Sequence, residues 1–191
     1  MIFHINELTR EGSSEGRVRA ELFRKNKKGT LFRLKRGLYS DDPSESVLAV
    51  ANTLRIPSYV SFEFALSYHG LIPEGVFEIT SATLSSRGRL TFKNHFGRFS
   101  YRNIPKKAFP YALIRVNDGL MASAEKALCD LLHTIHSVRS IKDLEALLFE
   151  DLRIDEEAFE ALDHAVLEEL CSLYPGDTFR LLRSYLERNH E

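Results

Sequence analysis

The chain has 191 residues, of which 43% are hydrophobic, and a mean hydropathy of −0.23; these values are typical of a globular protein with a hydrophobic core. No apolar run approaches the ~20 residues of a membrane-spanning helix and the first residues lack the pattern of a secretory signal, so we expect a cytoplasmic protein with no membrane partner. The formal net charge of −1 hides an asymmetry, because residues 1–40 hold ten basic and four acidic residues whereas residues 41–191 hold 16 basic and 23 acidic ones. The basic N-terminal part predicts an anionic partner.

The first 30 residues predict two helices joined by a turn. Residues 2–11 form a short helical candidate, and residues 12–14 form the turn. Ser14 is a favoured N-cap for a second helix over residues 15–26, and Gly29 ends that helix.

The predicted second helix is amphipathic and basic. Val18 and Leu22 form its apolar side, with Phe23 at the edge of that side. The opposite face carries basic residues two or three turns apart, namely Arg17, Arg24 and Lys28. The residues that follow predict a β-hairpin, with Lys35 and Arg36 near its tip.

A helix, a turn, a basic helix and a basic hairpin form the arrangement of a winged helix-turn-helix, here with a shortened first helix. The second helix of such a module can enter the major groove of double-stranded DNA while the hairpin contacts the backbone. Lysine and arginine displace counterions from phosphates, and arginine can also contact both acceptors of a guanine. The predicted DNA-binding residues are Ser14, Arg17, Arg24, Lys27, Lys28, Arg33, Lys35 and Arg36. The alternative for such a surface is a solvated charged face with no ligand.

Residues 41–43 predict a linker. It divides the chain into an N-terminal module, residues 1–42, and a body, residues 43–191. At the start of the body, Asp42 or Ser44 is expected to cap a helix that runs through residue 54.

The first half of the body predicts a helix set among β-strands. After a strand at Tyr59 and Val60, Ser61 is the N-cap of a helix over residues 62–69, and Gly70 is its left-handed C-terminal stop. The further β-type segments are residues 76–80, 89–93, 98–103 and 109–116. Glycines 88 and 97 are expected at turns, which predicts an antiparallel sheet with a basic, solvated face.

The C-terminal third predicts helices, which completes an α+β fold with a small winged helix-turn-helix and a mixed domain. Ser123 caps the first helix, and Ser140 with Asp143 resembles a capping box. The remaining helices are predicted over residues 141–149, 155–173 and 178–188. The acidic residues of this third lie either on the solvent-exposed faces of these helices, with no ligand, or on a docking surface for a basic partner protein.

Four sequence segments resemble the AbiEi family of antitoxins from type IV toxin–antitoxin systems. Three of the segments lie in the body. The first covers residues 57–81 and consists of PSYVSFEFAL..HGLIPE followed by TS at its end. The other two are F.YR.IP over residues 99–105 and GLMASAEKALCDLL over residues 119–132. The fourth, RLKRGLY over residues 33–39, is similar to the end of that family's winged helix-turn-helix. The resemblance implies a regulator that represses its own operon and neutralises a nucleotidyltransferase-type toxin, for which a stable toxin–antitoxin complex is not required. It also implies that AEKAL is a structural segment.

We expect no catalytic residues, no metal and no cofactor. Asp130, His133 and His136 are three residues apart on one helix, but their spacing is not that of a standard metal site. Glu125 and Lys126 are interpreted as helix surface, and Cys129 and Cys171, which lie in apolar helical patterns, as buried free thiols. Two alternatives to the DNA-binding antitoxin stay open: a protein-interaction module with a degenerate winged helix, and a compact metal-dependent nuclease.

Overall fold

The computed structural model describes residues 1–9, 14–84, 88 and 90–189, and of Thr9 and Asn189 it describes the backbone only. The fold is α+β, as predicted, with a small sheet at the N-terminus, a larger sheet in the centre and helices in the C-terminal part of the chain. Among the described residues, no helix has both the length and the apolar character that crossing a membrane requires.

The N-terminal module folds as strand, helix, helix and hairpin. Its elements are β1 (Ile2–His4), α1 (Ile5–Thr9), α2 (Glu15–Lys27), β2 (Phe32–Lys35) and β3 (Leu38–Ser40). The strands form an antiparallel sheet in the order β1-β3-β2. The predicted helix over residues 2–11 is therefore wrong over its first three residues, where Ile2 and Phe3 favour a strand and pair with β3. Its last two residues and the predicted turn at residues 12 and 13 lie outside the described part.

Helix α2 is where the sequence predicts it. Its C-cap is Lys28, and Gly29 follows in the left-handed conformation that ends helices. Ser14 stands at the N-cap position, but its side chain makes no capping hydrogen bond. The buried side of α2, Val18 and Leu22, packs in a small cluster with two further residues, Ile5 and Leu31.

The central sheet is mixed and not antiparallel as predicted. Its strands are β4 (Ser58–Val60), β5 (Glu78–Thr83), β6 (Leu90–Asn94), β7 (Gly97–Asn103), β8 (Leu113–Val116) and β9 (Gly119–Ala122), in the order β6-β7-β5-β4-β9-β8. The pairs β5–β7 and β4–β9 are parallel, and in both of them the chain passes through other elements between the two strands, as a parallel pair requires. Turns replace the first part of the predicted strand over residues 109–116. Residue 89, the first of the predicted strand over residues 89–93, lies outside the described part.

Helices flank this sheet and fill the C-terminal part. They are α3 (Val47–Leu54), α4 (Phe62–Tyr68), α5 (Ala124–His133), α6 (Ile141–Glu145) with a π-helical continuation (Ala146–Asp151), α7 (Glu156–Glu160), α8 (His164–Cys171) and α9 (Asp177–Asn189). The predicted single helix over residues 155–173 is two helices, because Asp163 accepts a hydrogen bond from the Val166 amide and starts α8. Helix α3 begins after Ser46, since Asp42 instead accepts from the Ser44 amide in a turn.

The hairpin of the N-terminal module is built into the body. Leu34 and Leu38 belong to the main hydrophobic core, which extends through the body, and not to the small cluster under α2. The Phe32 ring stacks on His95 in the turn between β6 and β7, with ring centroids 4.3 Å apart. In the same region Asn94 Nδ2 donates to the Leu34 carbonyl at 3.3 Å. The second strand of the module, β2, therefore contacts α2 on one side and the body on the other.

Candidate nucleic-acid interface

The exposed surface of α2 is basic. Because an α-helix turns by about 100° per residue, burying Val18 and Leu22 directs the opposite surface of α2 to solvent. The predicted DNA-binding residues of α2 and its C-cap are all exposed on this surface: Arg17, Arg24, Lys27 and Lys28. Ser14, at the start of the helix, is exposed as well. The structure thus brings the helical part of the predicted site together.

Acidic residues on α2 are paired within the helix. Arg19 forms an ion pair with Glu15 at 2.5 Å, and Lys25 forms one with Glu21 at 2.8 Å. The hydrogen bond from Lys25 and its charge lower the pKa of Glu21. Glu21, which interrupts the basic stripe in the sequence, is therefore neutralised one turn further along by Lys25.

The hairpin adds two exposed arginines, Arg33 in β2 and Arg36 in the turn before β3. The Arg33 amide donates to Asn26 Oδ1 at 3.1 Å, which ties β2 to the last turn of α2. The turn itself lies close to β1: a Cβ atom on Gly37, which has φ +81°, would stand 2.9 Å from His4 Nε2. Both arginines are thereby fixed next to the basic helix.

Lys35 is placed differently from the other predicted residues. Its ammonium group turns inward and donates to the Leu54 carbonyl at 2.7 Å, at the C-terminal end of α3. The pairing of β2 with β3 shifts register between Arg33 and Lys35, so strict alternation, which would put both side chains on one face, does not hold. Burial, with Arg55 nearby, lowers the pKa of Lys35. This lysine therefore joins the hairpin to the body.

A groove of about 530 Å³ lies between α2 and the hairpin. We call it the arginine groove, after the three arginines that line it, Arg19, Arg33 and Arg36. Asn26, Phe23 and Tyr39 line it as well, and so does Glu15, the ion-pair partner of Arg19. Guanidinium groups bind phosphate oxygens with two parallel hydrogen bonds, so the arginines of this groove suit an anionic backbone. Arg19, Asn26 and Phe23 are not among the residues predicted from the sequence to bind DNA. Arg19 and Asn26 lie seven residues apart, two turns along one helix face, which is the pattern that would have indicated them.

A second polar cluster lies inside the body, between β4, α5 and the end of α8. The buried cluster consists of Tyr59, Ser61, Lys126, Asp130 and Tyr174. Lys126 Nζ lies 2.7 Å from Asp130 Oδ1, and the other carboxylate oxygen accepts from Ser61 at 2.7 Å and from Tyr59 at 2.9 Å. Tyr174 Oη donates to Asp130 Oδ1 at 2.5 Å and also contacts Lys126 Nζ. Lys126 is fully buried, so its prediction as helix surface is wrong.

The buried cluster is enclosed and has no open position for a substrate. Lys126 and Asp130 are 0% exposed and Tyr174 is 5% exposed. Burial raises the pKa of Tyr59 and of Tyr174, with Asp130 adding to both effects, and burial lowers the pKa of Lys126. With each polar atom paired, the arrangement joins a strand to two helices and offers no group for exchange with solvent.

The metal hypothesis for Asp130, His133 and His136 does not fit the geometry, because the Asp130 carboxylate is surrounded by Lys126 and three hydroxyl groups. Within the described ranges, no three His, Cys, Asp or Glu side chains converge as metal ligands would. Cys129 and Cys171 are buried and free, as predicted. A hydrogen bond between the two thiols and burial raise the pKa of Cys129.

Comparison with known proteins leaves the family open. No protein-family model matches the chain, and no curated protein matches its sequence significantly. The similarity to AbiEi antitoxins therefore rests on the four sequence segments quoted above.

Proposed function

We propose that this protein is a DNA-binding transcriptional regulator of the antitoxin type. The observation that supports this is the set of exposed basic residues on the N-terminal module. Arg17, Arg24, Lys27 and Lys28 are exposed along one helix, and Arg33 and Arg36 are exposed in the adjoining hairpin. A surface of this kind neutralises phosphates along a duplex.

The order of elements, a strand, two helices and a hairpin, supports a winged helix-turn-helix. In such a module the strand before the helix pair joins the sheet beside the hairpin, and here β1 pairs with β3 of the hairpin. α2 would enter the major groove, while Arg33 and Arg36 would contact the backbone.

The regulatory role rests on the AbiEi resemblance. We propose that the protein binds double-stranded DNA at its own promoter, represses its own operon and counteracts a nucleotidyltransferase-type toxin. Repression follows physically if the N-terminal module occupies DNA that the transcription machinery needs. The neutralisation of the toxin is tested separately, by growth rescue when the protein is expressed with a nucleotidyltransferase encoded beside its gene.

The DNA-binding proposal is tested by a salt titration with a duplex from upstream of its own gene and with a random duplex. We expect tighter binding to the upstream duplex and a steep loss of affinity with salt. The double variant Arg17→Gln/Arg24→Gln should lower the salt slope by about two ions, because each lost phosphate contact removes about 0.9. Lys106→Gln/Lys107→Gln, which removes two exposed charges from the body, is the matched control. An unchanged slope in the α2 variant would refute the assignment.

A protein-interaction module is the second candidate. The observation that favours it is the length of α1, which has five residues and is short for the first helix of a helix-turn-helix. Weak and equal binding to both duplexes, together with a stable complex with the product of a neighbouring gene, would support this candidate instead.

A further inference from the structure

The exposed side of α2 carries an apolar stripe between its arginines. Gly16, Ala20 and Phe23 recur at i, i+4 and i+7, so they share one face of the helix, which points away from Val18 and Leu22. All three are exposed. Because Gly16 and Ala20 have little or no side chain, the Phe23 ring projects beyond its neighbours on this stripe.

Phe23 is 69% exposed, although the sequence predicts it at the edge of the buried side. The cluster under α2 is already filled by Ile5, Val18, Leu22 and Leu31. Phe23 lies about 100° further round the helix than Leu22 and lines the arginine groove. Single exposed apolar residues are common on protein surfaces; what distinguishes Phe23 is that its ring lines a groove that also contains three arginines.

The surroundings of Phe23 restrict the chemistry of a ligand bound there. Arg17 and Arg24 lie on one side of the stripe, and Arg19 and Arg33 line the groove on the other side. The ligand must therefore present an apolar group between two rows of negative charge. Duplex DNA does so in its major groove, where phosphates flank the base edges and the thymine C5-methyl is the apolar group.

We infer that Phe23 is a specificity-determining residue that contacts thymine C5-methyl groups in the major groove. The inference rests on the proposed DNA-binding function and adds to it the base that α2 selects. Gly16 and Ala20 leave room for the base edges to approach the helix beside the ring, while the flanking arginines hold the phosphates. Phe23 thereby selects the base sequence, while the positive charge of the arginines supplies the affinity.

The test compares two forms of the upstream duplex, one synthesised with thymine and one with uracil throughout, which differ only in the C5-methyl groups. Wild-type protein is expected to prefer the thymine form by about fourfold for each methyl contacted. Phe23→Ala should bind the thymine form more weakly and lose the preference, with its salt slope unchanged because no charge is removed. Phe77→Ala, which truncates a phenylalanine that is 93% exposed on the body, should keep the wild-type preference.

The outcomes separate the inference from the proposed function. If the wild type binds upstream and random duplexes equally, the proposed function fails and the inference falls with it. If the wild type prefers the upstream duplex but Phe23→Ala discriminates between thymine and uracil as the wild type does, only the inference is overturned. An equal affinity of the wild type for the two forms overturns it as well. If the wild type self-associates, and Phe23→Ala abolishes that association but keeps the thymine preference, the inference is overturned and the ring is assigned to a protein contact.

Discussion

At the scale of single residues, Lys126 is held in the protein interior by two polar partners, Asp130 and Tyr174. An ammonium group without water is costly, and its attraction to Asp130 offsets that cost only because the carboxylate is also hydrogen-bonded by Ser61, Tyr59 and Tyr174. The Lys126 ammonium also lies 4.9 Å from the centroid of the Tyr174 ring, a cation–π contact. The buried ion pair of Lys126 and Asp130 is therefore stable when both residues are present, and the loss of either one destabilises the protein.

Asp130→Asn should destabilise the protein by roughly 3–5 kcal/mol, because it leaves the Lys126 charge buried without a counter-charge. The measurement is urea unfolding followed by circular dichroism. Glu74→Gln, which breaks the exposed ion pair with Arg153, is the control and should leave the stability almost unchanged. Equal, small effects of the two substitutions would contradict the role given to the buried cluster.

The buried tyrosines predict alkaline unfolding. Burial raises the pKa of Tyr59, Tyr174 and Tyr101 above the value of about 10 that a phenol has in the unfolded chain. Above that pH the unfolded state releases protons that the folded state keeps, so the free energy of unfolding falls as pH rises through and beyond 10. Lys126 and Lys35, whose pKa burial lowers, act in the opposite direction, but they are two groups against three.

Tyrosinate absorbance and circular dichroism, recorded together against pH, check this prediction. The protein has seven tyrosines, and the three whose pKa burial raises should ionise only as the helical signal is lost. Tyr59→Phe should make the decline in stability less steep. Ionisation of all seven near pH 10 with the fold intact would show that these phenols are accessible.

The sequence does not reveal the buried cluster, for a physical reason. A lysine and an aspartate four residues apart on a helix most often form a surface pair. Whether they are buried depends on what covers the helix, and here the cover comes from β4 and from Tyr174, which is 44 residues beyond Asp130. In contrast, the exposure of Arg17 and Arg24 follows from helix periodicity alone and could be predicted.

At the scale of elements, helix α3 lies directly on the first residue of β9. A Cβ atom on Gly119 would stand 2.4 Å from the Leu48 Cβ and 3.2 Å from its backbone carbon, so any larger residue forces strand and helix apart. Gly119 itself is buried. This contact fixes how closely α3 packs against the central sheet.

Gly119→Ala should therefore destabilise the protein by about 1–3 kcal/mol, the usual cost of overpacking. Gly16→Ala is the matched control, since a Cβ atom there meets nothing within 4 Å and alanine favours a helix. The control should leave the stability unchanged or raise it by about 1 kcal/mol. Thermal unfolding of both variants checks the pair, and equal effects would refute the close packing of α3 on β9.

Helix ends that are marked by a nearby glycine or capping residue could be predicted from the sequence. Strand pairs between segments far apart in the chain could not. The ends of α2 and α4 follow from Gly29 and Gly70, and Ser123 caps α5 with a hydrogen bond to the Lys126 amide, as the sequence indicates. The parallel pairs β5–β7 and β4–β9 join segments separated by other elements, and nothing local encodes their direction. Strand β9 was missed because it consists of four residues directly before a helix.

At the scale of the whole molecule, the predicted boundary at residue 42 does not separate two hydrophobic cores. Leu34 and Leu38 lie before the boundary but belong to the main core. Residues 1–42 on their own would keep the small cluster of four buried residues and expose the face of the hairpin that now contacts the body. A chain of this size seldom folds without additional stabilisation.

A fragment of residues 1–42 is therefore expected to be unfolded in isolation, with the circular dichroism of a disordered chain. Lys35→Met in the full-length protein should lower its stability without reducing the salt slope of DNA binding, because the Lys35 ammonium group is half-buried and bound to the Leu54 carbonyl. Cooperative unfolding of the fragment, or a salt slope lowered by Lys35→Met, would show that the module and its hairpin act independently of the body.

The alternation along β2 has a mechanical consequence. Arg33 points to the solvent side of the hairpin, while its neighbours Phe32 and Leu34 contact the turn after β6 and the main core. Since these three residues share one stretch of backbone, the contacts of Phe32 and Leu34 with the body fix where the backbone of Arg33 lies relative to the body. The basic surface is therefore presented at a defined position on the body, as a rigid extension of it and not as a separately tethered head.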